Sequence, residues 1–187
     1  RSPGLNLNDM GYIRQADFLG ESANVSYKMN DPGKWIRNYT LSVFQEARWS
    51  FGGEHTGNEV GSSFSLVNNK LWRFSLAYNF DFTHLDIREL RGGPALRIDG
   101  EHMTGVNISS NSSKNFSGNA GVHLMTFQGI EAHRETIHAG LTWLPIRKIR
   151  ISGEASVDIR KYHQQYVNTM TGTSETLYLV GAIDQNS

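Results

Sequence analysis

Seven histidines, His55, His84, His102, His123, His133, His138 and His163, are the first residues to test for metal ligation or proton transfer. None stands in a His-Glu-x-x-His or comparable spacing, and the chain has no cysteine to join them. His133 and His138 are five positions apart, so on a strand they point to opposite faces. No metal centre is expected. Glu154 and Asp158 share a strand face but lie roughly 13 Å apart along it, too far for a hydrolytic pair on their own. No Gly-x-Ser-x-Gly elbow is present, and Ser63 falls inside a strand pattern. Gly52-Gly53 and Gly92-Gly93 lack the Lys-Ser/Thr of a phosphate loop and read as turns. Asn-x-Ser/Thr triplets at Asn24, Asn38, Asn107, Asn111 and Asn115 match chance in so Asn- and Ser-rich a chain. The sequence therefore names no catalytic residue and no cofactor.

Ligand binding leaves more to consider. Arg73 and Asp81 lie on the polar side of one alternating segment, and Glu154 and Asp158 on that of another. Arg88 and Arg91 flank a connection, where their planar donor forks would suit an anionic or sugar ligand. The other reading of Arg91-Gly92-Gly93-Pro94 is a tight turn, with glycines at positive φ and Pro ending a strand pairing. These six residues form the candidate ligand-binding set.

Composition decides what kind of scaffold must position them. The 187 residues hold 18 Lys+Arg and 18 Asp+Glu, so no net field draws nucleic acid. Without cysteine there is no disulfide framework and no thiolate site. Charged residues are 19% of the chain, below the usual quarter, while aromatics reach 11% and glycines number 19. That balance favours an all-β chain. No window approaches the ~18–20 apolar residues a spanning helix needs, but strand alternation hides a membrane barrel from that test.

After a loop over residues 1–18, the hydrophobic period is two throughout. Leu19, Ala23, Val25, Tyr27 and Met29 alternate with polar residues, and Asn30-Asp31-Pro32-Gly33 turns the chain. Segments follow over 35–51, 56–67 and 72–83, the last with Trp72, Phe74, Leu76, Tyr78, Phe80 and Phe82 on one side. A fifth runs over 95–109 with Leu96, Ile98, Val106 and Ile108 on one face and Gly100 as a bulge. Three more cover 116–127, 133–144 and 148–160. A short piece around Tyr166 and Val167 and a run over 175–183 complete an antiparallel meander of about nine or ten long strands.

Strands in soluble proteins cluster near ~5–6 residues, whereas ~9–11 tilted residues cross a bilayer. The segments here have the longer length, with one apolar face and one bearing Ser, Asn, Thr and both charge signs. Trp35, Trp49, Phe51, Trp72, Phe82 and Trp143 sit toward segment ends, where interfacial girdles form. The expected fold is therefore part of a transmembrane β-barrel, with lipid outside and water inside. A soluble antiparallel sheet with one solvated face gives the same alternation and is the competing reading. The chain opens Arg1-Ser2-Pro3-Gly4 without an initiator Met and stops just past an apolar run, as expected for one β-barrel segment of a longer polypeptide.

Three stretches add a family resemblance. They are Asn8-Asp9-Met10-Gly11-Tyr12-Ile13-Arg14-Gln15-Ala16-Asp17, Leu90-Arg91-Gly92-Gly93-Pro94-Ala95-Leu96-Arg97, and Gln165-Tyr166-Val167 with Ala182-Ile183-Asp184-Gln185. In this order they resemble the uncharacterised barrel domain that follows a family-9-like carbohydrate-binding module in Gram-negative envelope proteins. The resemblance implies an outer-membrane location, contact with outer-membrane lipid, a sugar-binding domain upstream and more strands downstream. It supplies no catalytic residue. The leading expectation is a non-enzymatic barrel module serving glycan capture or passage. The alternatives are a soluble carbohydrate-binding sheet and a component of a glycan-processing hydrolase using Asp81 or Glu154.

Overall fold

The computed structural model describes residues 18–86, 94–129, 131–146, 148–171 and 176–186, with the backbone alone from 162 onward. The described residues contain strands and turns and no helix. Nine strands form one antiparallel sheet: β1 (Leu19–Met29), β2 (Ile36–Trp49), β3 (His55–Asn68), β4 (Arg73–Asp81), β7 (Glu101–Ser109), β8 (Phe116–Phe127), β9 (His133–Ile146), β10 (Ile149–Thr171) and β11 (Thr176–Asn186). Each pairs with its neighbour in chain order, as short turns between alternating segments dictate. Two three-residue strands, β5 (His84–Asp86) and β6 (Leu96–Ile98), pair separately in the connection from β4 to β7.

Two expectations need correction. The segment over 95–109 is two strands in two different sheets, and Gly100 lies between them rather than in a bulge. The Gly100 backbone packs against that of Asp81 so closely that a Cβ would meet the Asp81 carbonyl at 2.8 Å, where the ladder is interrupted between the β5–β6 and β4–β7 pairings. The piece around Tyr166 belongs to β10, which runs unbroken for 23 residues with register shifts near Gln165 and Asn168. The main sheet is open, with β1 and β11 as its edges, as expected of an antiparallel meander that forms only part of a larger sheet.

Register shows how the faces divide. On one face, Tyr27, Leu41, Phe64, Leu76, Val106, Val122, Ile137 and Val157 are directly opposed from β1 through β10, one unbroken apolar row across eight strands. The next row toward the β3–β4 turn reads Met29, Tyr39, Leu66, Phe74, Ile108, Ala120, Ala139 and Ala155. The opposite face carries Ser26, Ser42, Ser63, Ala77, Gly105, His123, Thr136 and Asp158. Among the described residues only Ala47 and Ala132 are buried apolar side chains. Leu41, Val43, Leu76, Leu124, Ile137 and Leu141 are all exposed. The chain presents 13264 Å² to solvent, against about 9,000 Å² for a compact soluble monomer of this mass. Among the described residues the single layer has no core of its own.

Candidate functional site

The polar face is shaped by glycines that lie under neighbouring side chains. A Cβ on Gly61 would collide with Phe44 and Asn79, and one on Gly121 with His138 and Asn107. At Gly105 it would meet His123 Nδ1 at 2.8 Å, and at Gly140 Asn119 Oδ1 at 2.6 Å. Phe44, His123, His138 and Asn119 are each the direct cross-strand partner of the glycine they cover. The rings of His123 and His138 stack, with centroids 5.6 Å apart. Beside them a shallow trough of about 400 Å³ is lined by Ser75, Asn79, Asn107, His123, Arg134 and Thr136 over a floor of Ala77 and Gly105.

At the end of the sheet where β4 stops, four carboxylates meet in one row. Glu46, Glu59, Asp81 and Glu101 are successive cross-strand partners on β2, β3, β4 and β7. Adjacent strands are ~4.8 Å apart, so like charges stand directly opposite one another. Cationic and amide groups temper them: Arg48 Nε lies 2.9 Å from Glu46, and Asn79 donates to Glu59 at 2.9 Å. His84 Nδ1, on β5, stands 3.7 Å from Asp81 Oδ1, an oxygen sealed from solvent without a hydrogen-bond partner among the described residues. On the other face the neighbouring row is mixed, Ala23, Gln45, Val60, Phe80, His102, Thr126 and His133. The carboxylate row is a rim in that Asp81 ends β4 and Glu101 begins β7. Burial, with Asp81 adding repulsion, raises the Glu59 and Glu101 carboxyls above their ordinary values. Burial likewise raises Asp81, against the attraction of His84 and Arg48.

A second charged group sits on β9 and β10. Asp158 accepts hydrogen bonds from Arg134 (2.7 Å) and Arg160 (2.6 Å), each a two-pronged guanidinium contact. Such forks hold the three side chains in one plane-matched cluster.

The candidate ligand-binding residues are therefore scattered. Arg73 and Asp81 are at opposite ends of β4, ~27 Å apart along the strand. Glu154 lies exposed opposite Gly140, and Asp158 is held by its arginines. Arg88 and Arg91 lie outside the described residues. Glu59, Glu101, Arg134 and His84 complete the two clusters without having stood out in the sequence. Glu46 faces Glu59 because the β2–β3 register shifts between Arg48 and Trp49; counting on from the Trp49–His55 pair at the turn would set Glu46 opposite Asn58. Among the described residues no group of three or more His, Asp or Glu is arranged to hold a metal ion.

A family model described as a domain of unknown function, DUF5916, matches residues 1–185. The chain belongs to the DUF5916 family. No curated protein and no solved structure matches it. For this DUF5916 chain the chemistry must therefore come from the two faces, and neither charged cluster contains an activated nucleophile.

Proposed function

We propose that this chain is the wall of an outer-membrane β-barrel in a Gram-negative bacterium, apolar face on lipid and polar face on a water-filled passage for polar solutes. The observation that carries this reading is the unbroken apolar row across eight strands of a sheet that has no second layer. Exposed apolar surface on that scale requires a partner. The dimensions suit hydrocarbon. From Phe116 to Leu124 the outward residues of β8 cover eight steps, ~27 Å along the strand and ~21 Å along the normal at a tilt of ~40°, against an apolar band of ~25 Å in such barrels. Aromatics flank this band. Trp72 and the cross-strand pair Phe116 and Trp143 lie toward the ends joined by short turns, and Tyr78, Phe80, Phe82 and His102 cluster toward the carboxylate rim.

The glycine joints favour the same sense of curvature. Where a large side chain lies flat on a neighbour's glycine, the polar side of the sheet occupies less width than the apolar side with its Leu, Val and Ile. A sheet of this kind curls with its polar face inward. Glycan capture or passage, and a sugar-binding domain elsewhere in the polypeptide, follow from the family resemblance and complete the proposal. The test is fractionation of cells producing the native protein. It is expected to sediment with outer membranes, to resist carbonate and to leave only with detergent, migrating anomalously on gels until heated. Recovery in the aqueous fraction as a detergent-free monomer would overturn the reading in favour of a soluble sheet.

A further inference from the structure

Strand direction gathers four connections at one end of the main sheet: 30–35 after β1, 69–72 after β3, 110–115 after β7 and 147–148 after β9. Each carries a lysine, Lys34, Lys70, Lys114 or Lys148, so these turns hold four of the chain's six. All four are exposed, and none has an ion-pair partner among the described residues. Asp31 is the single acidic residue in the four connections, whereas the carboxylate row stands at the opposite end of the strands. Aromatics accompany the lysines. Trp35, Trp72 and Phe116 follow them by one or two residues, Trp143 faces Phe116 across the β8–β9 pair, and all four rings are exposed. The turns are also braced. Asn69 Nδ2 donates to the Gly33 and Lys34 carbonyls at 2.8 and 3.1 Å, tying the first turn to the second. The Leu144 N–H donates to the Asn115 carbonyl at 2.7 Å, tying the third turn to β9. Between the second and third turns lies a notch of about 520 Å³, lined by Lys70, Trp72, Ser110, Asn111, Lys114 and Phe116.

We infer that this end of the sheet binds the headgroups of anionic glycerophospholipids, with the notch between Lys70 and Lys114 as the seat of one lipid phosphate. The inference rests on the reading of the sheet as a barrel wall and adds which lipid gathers against it. Such a lipid presents a phosphate, a polar head and acyl chains within a few ångströms of one another. The notch answers each part: ammonium groups for the phosphate, Ser110 and Asn111 for the head, and the rings of Trp72 and Phe116 where chain gives way to headgroup. A free phosphate would satisfy the ammonium groups but leave both rings in water, so the shared presence of cation and aromatic selects the lipid. Charge sets the class of lipid. Lysines without carboxylate partners repel one another, an anionic surface relieves that repulsion within a Debye length, and a zwitterionic surface does not. Short turns are the periplasmic ends of such barrels, so the headgroups are those of the leaflet facing the periplasm.

The test uses the full chain with Trp35→Phe, Trp49→Phe and Trp143→Phe, which leaves Trp72 beside the notch as the one fluorescent reporter. It is folded into vesicles of equal parts phosphatidylcholine and phosphatidylglycerol, with bromine on the acyl chains of one lipid or of the other. Brominated phosphatidylglycerol is expected to quench Trp72 more strongly, with an apparent preference of about twofold or more. The preference should fall to about one when Lys70→Gln and Lys114→Gln are added, and in about 1 M salt, where the Debye length is ~3 Å. Lys161→Gln, at the opposite end of the sheet, should leave it unchanged. The chain with all four tryptophans gives a second measurement should the reporter variant fail to fold. Phosphatidylglycerol should raise its urea midpoint in phosphatidylcholine vesicles, and raise it less in the lysine double variant. Equal quenching by the two lipids, a preference unchanged by the lysine substitutions, or a midpoint indifferent to phosphatidylglycerol would overturn this inference and leave the barrel wall standing. Quenching by neither lipid would overturn the barrel reading, and this inference with it.

Discussion

Leu76 stands at the centre of the apolar face, between Phe64 on β3 and Val106 on β7, while its chain neighbour Ser75 points to the polar face. Replacing each with arginine separates the environments of the two sides. If hydrocarbon covers Leu76, an arginine there costs about 2–4 kcal/mol, a 30- to 700-fold loss in the folding equilibrium, because lipid cannot solvate the guanidinium. Ser75→Arg, beside Asn107 and the trough, should stay within about 0.5 kcal/mol. Depth supplies the control. Thr126, in the row where the apolar face ends, should accept arginine for about 0–1 kcal/mol, since its head group reaches water. The assay is urea unfolding of the full chain in phospholipid vesicles, followed by tryptophan fluorescence. Equal stabilities for the Leu76 and Ser75 variants would refute the assignment of faces. Equal losses at Leu76 and Thr126 would point to a protein layer in place of lipid.

Other consequences are as concrete. If lipid covers the apolar face, bromine-labelled lipid chains should quench Trp72 and Trp143, which lie toward the short-turn ends of that face, and an unquenched spectrum would place them away from acyl chains. Gly61→Val should destabilise the fold by about 1–3 kcal/mol by driving into Phe44. Much of that loss should disappear when Phe44→Ala is added, and a double-mutant cycle without coupling would remove the joint from the account. Asn68→Ala should cost about 1 kcal/mol in the same unfolding assay. Its side-chain oxygen accepts from the Lys70 and Trp72 N–H groups at 2.9 and 3.0 Å, in a turn that holds Leu71 at a φ of 64°.

Much of this architecture was legible before any coordinates. The alternation of Phe74, Leu76, Tyr78 and Phe80 with Ser75, Ala77 and Asn79 requires a two-faced strand, and short turns at Asn30-Asp31-Pro32-Gly33 and Asn68-Asn69 require antiparallel neighbours. The pairing of Glu46 with Glu59 rests on a register shift between Arg48 and Trp49 that counting from Gly52-Gly53 does not foresee. Pairing of Asp81 with Glu101 is no easier to read, because 19 residues intervene and the ladder breaks before β5 and β6 resume it. For the same reason Leu96 and Ile98 look continuous with Val106 and Ile108, since alternation does not record a change of sheet. His84 carried no local signal either. Its neighbour Asp81 is three residues away in sequence, but the two side chains meet because the ladder is interrupted between β4 and β5. The arginine pair on Asp158 depends on the β9–β10 register, which lets Arg134 on one strand and Arg160 on the other reach a single carboxylate.

Because the strand order of the main sheet is also the order of synthesis, almost every hydrogen-bonded ladder joins segments that leave the ribosome one after the other. Such a wall can be laid down hairpin by hairpin, each new ladder closing only a short loop, with no need to hold distant segments unpaired. Assembly has one natural pause, at the step from β4 to β7, where 19 residues must emerge before the growing edge meets its next strand.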